Sequence, residues 1–187
     1  YPAGRFADSH MSTSRTKYRM IRDTNSPKII IVTGSSGAFS MDNSLLASET
    51  GYAVTSVALH AGMGALYETE LTKANMNAGD IGLVGYEWGW ASDKDYFDQF
   101  GTDLIMTGID DEVEMYKYVP ISKYKDIIGN LPCYAYEKMK YEGGDQGPYS
   151  RAAFDKNGNM TIRRTEGNVK NIVIDHYIDV TNAEISA

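Results

Sequence analysis

The sequence contains only one cysteine, Cys133, among its 187 residues. A single thiol cannot close an internal disulfide, so the fold must be held together by its core and its hydrogen bonds. The surrounding residues, "NLPCYAYEK", are typical of the start of a helix. We therefore expect Cys133 to be a small buried side chain rather than a catalytic nucleophile.

Basic clusters and long apolar runs are missing as well. There are 18 Lys and Arg residues against 25 Asp and Glu, which gives a net charge of −7. The nearest approach to a basic cluster is Arg163-Arg164, with Glu166 close behind it. Nucleic-acid binding needs grouped cations that neutralise phosphates, so we exclude that class of partner. No apolar run approaches the roughly 20 residues of a membrane span.

The remaining composition is that of a globular protein. Apolar residues make up 42% of the chain and charged residues 23%, which is enough to build a core for one domain. The first 27 residues are polar and without a clear period. We interpret residues 1–27 as an extended lead-in, with a short amphipathic piece around Tyr18–Ile21, and residues 28–187 as a single α/β domain.

Residues 28–90 alternate between strand and helix patterns. The continuous apolar run Lys28–Val32 predicts a strand buried on both faces, followed by a polar loop. Asp42 and Gly51 are suited to cap and to end the next helix. The predicted elements that follow the first strand are a helix Asn43–Glu49, a strand Ala53–Leu59, a helix Ala65–Met76 and a strand Ile81–Tyr86. This βαβαβ order predicts a parallel sheet with right-handed crossovers.

Residues 91–187 follow a different pattern. The first half of this region is predicted to be helical, with breaks at Gly101, Gly108 and Pro120. A turn at 156–159 predicts a hairpin, and 169–180 fits either a strand or a short helix. Open α/β sheets usually have about five strands, so three strands favour the front portion of a larger domain over a sheet that the hairpin completes.

The stretch "IIIVTGSSGAFS" (29–40) allows three functional hypotheses. A Walker-type phosphate loop needs a lysine after its last glycine, but Ala38 follows Gly37. A dinucleotide fold needs further glycines and an acidic residue after the second strand. Ala38 and Ser40 occupy those glycine positions, and the second strand ends at Leu59-His60. The Tyr136–Lys140 spacing used by short-chain dehydrogenases is common by chance in a chain with 14 tyrosines.

The third hypothesis places a nucleophilic serine at the end of the first strand. Open α/β sheets bind ligands at the carboxyl edge of their strands. Ser36 follows the first strand, His60 and Gly62 follow the second, and Glu87 follows the third. Each residue also has an ordinary structural interpretation: a turn or cap serine, a buried histidine, a tight-turn glycine or an ion-paired carboxylate. Their convergence at three consecutive strand ends favours a functional site.

These residues resemble a known family. The segment from Lys28 to Trp88, with "TGSSG", "LHAGMG" and "GDIGLVGYE", is similar to the N-terminal half of SGNH (GDSL-like) hydrolases. It is most similar to the envelope-associated branch that includes teichoic acid D-alanyl transfer proteins. The resemblance covers about a third of the chain, and its motifs are specific as a set rather than singly.

The resemblance implies a three-layer α/β/α flavodoxin-like (SGNH-type) sheet, incomplete in this chain, with a helical insertion and a hairpin in the C-terminal half. It implies Ser36 as the nucleophile, with the Ser36 N–H and Gly62 forming the oxyanion hole. It implies ester hydrolysis or acyl transfer on an acylated small molecule or cell-envelope glycan, without cofactor or metal. It also implies an extracytoplasmic location behind a membrane anchor, and a chain that starts at Tyr1 suits removal of such an anchor.

Two departures from the family pattern leave alternatives open. Glu87 stands where many members carry an oxyanion-donating asparagine, and an ionised carboxylate cannot donate. The late Asp-x-x-His motif that supplies the base is absent, since the only histidines are His10, His60 and His176. His60 is an outside candidate for the base. The alternative is a non-catalytic carbohydrate-binding or scaffold protein, to which Trp88, Trp90 and the tyrosines of 133–150 would offer stacking faces.

Overall fold

The described residues form a parallel sheet of three strands, with β1 between the other two. The computed structural model describes residues 8–85, 101–110, 112–144 and 147–162. The strands are β1 (Lys28–Thr33), β2 (Ala53–Ser56) and β3 (Ile81–Gly85). β1 pairs in parallel with both neighbours, in the registers Lys28↔Ala53 and Ile29↔Ile81. The predicted α/β class with a parallel sheet is therefore confirmed.

β1 is buried along its whole length, as its apolar run predicts. Its first residue, Lys28, is buried as well, and its Nζ lies 3.1 Å from Oδ2 of Asp80, whose side chain is buried although the residue as a whole is not. The Lys28 backbone N–H donates to Oδ1 of the same carboxylate at 3.0 Å. A buried charge needs this combination of an opposite charge and hydrogen bonds. The pair ties the start of β1 to the residue just before β3.

The other two strands are shorter or more exposed than β1. The ladder of β2 ends at Ser56 rather than at the predicted Leu59, although the Val57 N–H still donates to Ile31 O at 2.8 Å. β3 matches the prediction up to Gly85, and all five of its residues are exposed. Tyr86 lies outside the described residues.

Three helices connect the strands. The predicted polar loop after β1 is wrong, because residues Ser35–Ser40 form a short helix, α2. Helix α3 (Asn43–Thr50) confirms the predicted caps: the Asp42 carboxylate accepts from the N–H groups of Ser44 and Leu45, and Gly51 is left-handed. Helix α4 (Ala65–Lys73) ends before the predicted Met76.

The predicted extended lead-in is wrong over its second half, although the predicted amphipathic piece around Tyr18–Ile21 does lie within a helix. Residues Thr13–Asp23 form helix α1, preceded by a 3₁₀ turn at His10–Ser12. Tyr18 and Ile21 are fully buried in the main core with β1 and α4. The same face buries Thr13, Ser14 and Lys17. These polar side chains break the apolar period, which is why the sequence shows so little of this helix.

The predicted helical character beyond Gly101 is confirmed for the described residues. Helix α5 (Thr102–Ile109) and helix α6 (Tyr124–Lys140) pack together, joined by 3₁₀ segments at Val113–Tyr118 and Ile121–Lys123. The predicted break at Gly108 is wrong, because Gly108 lies inside α5 and lets that helix pack closely on Met63. Cys133 is exposed in the middle of α6, so the prediction of a buried thiol at a helix start is also wrong.

The predicted turn at 156–159 is confirmed, but the hairpin around it is minimal. Phe154 and Met160 form a single antiparallel bridge, and the Asp155 N–H donates to Asn159 O at 2.8 Å. Residues 169–180, Glu87, Trp88 and Trp90 lie outside the described residues. Among the residues that are described, no helix has the length and apolarity needed to cross a membrane.

Candidate active site

Ser36 lies at the carboxyl edge of the sheet, in the first turn of α2, which begins directly after β1. Ser36 is exposed, whereas Gly34 before it and Gly37 after it are buried. The Ser36 carbonyl accepts a hydrogen bond from Ser40 Oγ at 2.7 Å, which fixes the second turn of the helix. The local fold therefore presents this serine at the edge where open α/β sheets bind ligands.

The glycine that follows Ser36 has a steric cause. A Cβ at Gly37 would overlap Thr33 Oγ1 and would lie 2.7 Å from Thr33 Cβ. Thr33 is the last residue of β1 and is buried. Only glycine at position 37 therefore allows α2 to fold back so closely onto the strand that it follows.

His60 and Gly62 interact with each other after β2. The half-buried His60 caps a 3₁₀ turn at Ala61–Met63, and its Nδ1 accepts a hydrogen bond from the Gly62 N–H at 3.0 Å. An Nδ1 that accepts a hydrogen bond carries no proton, so in the neutral ring the proton is on Nε2. The Gly62 N–H is engaged by this bond. For Gly62 to act in an oxyanion hole, its N–H would have to release His60 Nδ1 and donate to the substrate oxygen instead.

A second histidine, which sequence reasoning left out of the site, packs against His60. The ring of the buried His10 is stacked on His60 with 6.0 Å between ring centroids. The His10 ring also packs against the rings of Phe39 in α2 and of Tyr149, with 5.5 Å and 5.8 Å between ring centroids. We call His10, Phe39, His60, Tyr149 and Phe154 the ring cluster. It joins four parts of the chain, around residues 10, 39, 60 and 149–154, at one edge of the sheet.

A buried cation lies beside the ring cluster. The Lys17 ammonium donates to the Ala58 carbonyl, two residues before His60, and lies 5.8 Å from the centroid of Phe154. Burial lowers the pKa of Lys17 to about 8, while the Glu68 carboxylate acts to raise it. Lys17 thereby anchors the segment that leads from β2 to His60.

An open groove begins next to Gly62. A Cβ at Gly101 would overlap Gly62 O, and a Cβ at Gly62 would lie 2.5 Å from Leu104 Cδ1. Gly101 is therefore needed for α5 to pack on this loop, whereas a side chain at position 62 would have to displace the end of the Leu104 side chain. The groove has a volume of about 710 Å³ between α5 and α6, and its lining residues are Gly101, Thr102, Asp103, Leu104, Asp126, Gly129 and Asn130.

The structure thus places Ser36, His60 and Gly62 after adjacent strands, while Glu87 lies outside the described residues. His10, Tyr149 and Phe154 carry no sequence signal, because they are separated from His60 by 50 residues or more. In the described ranges, no group of three or more His, Cys, Asp or Glu side chains is arranged to hold a metal ion. Comparisons with protein-family models, with curated proteins and with solved structures give no match.

Proposed function

We propose that the protein is an SGNH-like serine hydrolase or acyltransferase that acts on ester-linked acyl groups. The observation that carries this proposal is the exposed Ser36 directly after the central strand of a parallel sheet. A serine at this position can attack an acyl carbon when a base accepts its proton and N–H groups receive the oxyanion.

The sheet order supports the proposed fold family. The order β2-β1-β3, with all pairs parallel, is the order in which a flavodoxin-like sheet begins. In such a sheet the ends of β1 and β2 are adjacent, which brings the loops of Ser36 and His60 to one edge. The exposed β3 is the strand on which a flavodoxin-like sheet would continue.

The substrate, partner and location follow from the family resemblance. We propose an acylated cell-envelope glycan, or a smaller acylated molecule, as the substrate. The proposed location is extracytoplasmic, with a membrane anchor upstream of Tyr1. An acidic protein of net charge −7 suits an uncharged or cationic substrate better than a polyanion.

A fluorophosphonate probe tests the serine chemistry. We expect the probe to modify Ser36, and the Ser36→Ala variant to lose the label. Ser35→Ala is the matched control, because Ser35 is the neighbouring residue of the same helical turn and is half-buried. In Ser35→Ala, the label on Ser36 should persist. A folded protein that takes no label, or takes it on Ser35, would contradict the proposal.

The groove supports a second candidate, a carbohydrate-binding protein without catalysis. Asp103 and Asn130 are hydrogen-bonded to each other in the groove, and Asp126 adds a further carboxylate. Carboxylate and amide groups hydrogen-bond to sugar hydroxyls. The exposed Tyr136 and Tyr149, which do not line the groove, offer rings for stacking elsewhere on the surface. Glycan-array binding that survives Ser36→Ala and is lost in Asn130→Ala would favour this candidate over the enzyme.

A further inference from the structure

We propose that helix α6 docks on a membrane, lying flat on an anionic lipid surface with one side of the helix in the headgroup region. The inference goes beyond the proposed function and does not use the chemistry of Ser36. It starts from a row of exposed apolar side chains on α6 and from the charges that border this row.

Helix α6 is attached to the rest of the fold through one of its sides. Its buried residues are Ile127, Tyr134 and Lys138. The Tyr134 hydroxyl donates to Met106 O of α5 at 3.2 Å, and Lys138 Nζ lies 2.6 Å from Oδ2 of Asp110. These contacts hold α6 firmly against α5 and leave another of its sides facing the surroundings.

That exposed side carries a continuous apolar row. We call Ile128, Leu131, Pro132, Ala135 and Met139 the α6 stripe. All of them are exposed, and the exposed fractions of Ile128, Leu131 and Met139 are 63%, 48% and 72%. Steps of three and four residues place the stripe along one side of the helix, over a length of about 17 Å. Single exposed apolar residues are ordinary on a protein surface, whereas a contiguous patch marks an interaction site.

Two lysines and a tyrosine border the stripe. Lys125 lies one turn before Ile128, and Lys140 follows Met139 directly. The Lys140 Nζ lies 4.0 Å from the ring centroid of the exposed Tyr136. Lysine and tyrosine at the edge of an apolar helix face suit a membrane interface, because their apolar bodies enter the lipid while their polar tips stay among the headgroups.

The carboxylates of α6 lie away from the stripe. Asp126 and Glu137 are three helical turns apart and share the opposite side of the helix with Cys133. Asp126 also lines the groove between α5 and α6. Although the net charge of the chain is −7, the helix charges nearest to the stripe are therefore positive, and they favour approach to an anionic surface through this side.

A second copy of the chain fits the stripe less well than a lipid surface does. The stripe has a lysine at each end, Lys125 and Lys140. Two copies packed parallel or antiparallel would bring like charges together at both ends of the interface. An anionic bilayer attracts both lysines and also accepts the apolar side chains, and interfacial helices bind through these two contributions together.

Vesicle binding with an environment-sensitive dye on a thiol tests the proposal. The single cysteine of the chain, Cys133, is exposed and lies on the acidic side of α6. The dye is attached either to Cys133 or, in Cys133→Ser/Ala135→Cys, to position 135 in the stripe. With vesicles of equal parts phosphatidylcholine and phosphatidylglycerol, we expect a blue shift from position 135 and none from Cys133. Binding should weaken on phosphatidylcholine alone, and also when salt rises from about 0.1 M to about 1 M.

Variants of the unlabelled protein test the same side by co-sedimentation with these vesicles. We expect Ile128→Gln/Met139→Gln to weaken binding about tenfold or more, because less apolar surface enters the lipid. Leu45→Gln is the matched control and should bind like the wild type, since Leu45 is equally exposed on a different helix, α3. Lys125→Glu/Lys140→Glu should weaken binding as well, whereas the control Lys156→Glu, at an exposed turn, should not.

The remaining outcomes contradict the proposal. A folded protein that does not bind these vesicles, or that binds them with a blue shift at Cys133, would overturn it. A blue shift at position 135 without vesicles would do the same, because a second copy or another part of the chain would then cover the stripe. If Cys133→Ser/Ala135→Cys fails to fold, Cys133→Ser/Met139→Cys takes its place. Fluorophosphonate labelling of Ser36, measured in parallel, separates failure of this inference from failure of the proposed function.

Discussion

Single residues at the end of β1 determine how Ser36 is presented. Gly37 is a helical residue, so its glycine is required by space and not by an unusual backbone angle. Thr33, which fills that space, also lies against Gly85 of β3, where a Cβ would be 3.1 Å from Thr33 Cγ2. The glycines at positions 37 and 85 are thus explained by contacts of Thr33 with α2 and β3.

The substitution Gly37→Ala tests this steric explanation. Ala is a better helix former than Gly by about 1 kcal/mol, but here its Cβ would collide with Thr33 and push α2 off the strand. We expect a loss of about 1–3 kcal/mol in the free energy of unfolding, measured by urea denaturation. Gly129→Ala is the matched control, because Gly129 lies in α6 and a Cβ there would have no neighbour within 4 Å. A neutral Gly37→Ala variant would contradict the explanation.

The buried Lys17 leads to a second prediction at the residue scale, on how stability changes with pH. Its pKa is lowered from 10.5 to about 8 by burial. Between about pH 8 and pH 10.5 the unfolded chain therefore binds more protons than the folded chain. Stability from this group therefore rises as pH increases from about 8 to 10.5 and is lowest below pH 8. The gain is on the order of 1–3 kcal/mol.

Chemical denaturation at about pH 7.5 and about pH 10, which lie on either side of most of this titration, measures the effect. We expect the wild type to gain stability relative to Lys17→Met/Glu68→Gln, which removes both buried charges at once. The double variant is the suitable reference, since Lys17→Met alone would leave the Glu68 carboxylate facing an apolar side chain. A difference between the two proteins that does not change over this pH interval would contradict the assignment.

Elements differ in how much the sequence reveals about them. β1 and α3 are predictable because a continuous apolar run and a pair of caps are local signals. The predicted cap positions are correct to the residue, because Asp42 and Gly51 lie at the two ends of α3. Helix α1 is not predictable in this way, because three of its five buried residues are polar. Helix α2 gives no signal either, because six residues are too few for a period to show.

The sheet contains a pair of neighbouring residues that differ in burial: the one on β1 is buried and its partner on β3 is exposed. Ile31 of β1 is 1% exposed, and its partner Leu83 of β3 is 41% exposed. We expect Ile31→Ala to cost about 2–5 kcal/mol in the free energy of unfolding, and Leu83→Ala less than about 1 kcal/mol. Thermal or urea denaturation measures both. An equal cost for the two variants would show that further polypeptide covers β3.

At the scale of the whole molecule, the candidate site is assembled from segments far apart in sequence. Ser36, His60 and Gly62 could be predicted, because parallel strands deliver their ends to one edge. His10 and Tyr149 could not, since packing of α1 and of the 147–162 segment brings them together over more than 100 residues. The antiparallel bridge Ser9↔Ser150 shows how the two segments meet.

The most direct test of the account is acyl transfer to Ser36. The protein is mixed with p-nitrophenyl acetate, and the reaction is quenched in acid and digested with trypsin. The peptide Ile29–Lys73 is then sequenced by mass spectrometry, because it carries both Ser36 and His60. The account predicts an acetyl group on Ser36 that hydroxylamine removes, that persists in Ser35→Ala and that is absent in Ser36→Ala. A folded protein that carries no acetyl group on this peptide, or carries it on Ser35 or His60, would contradict the central claim.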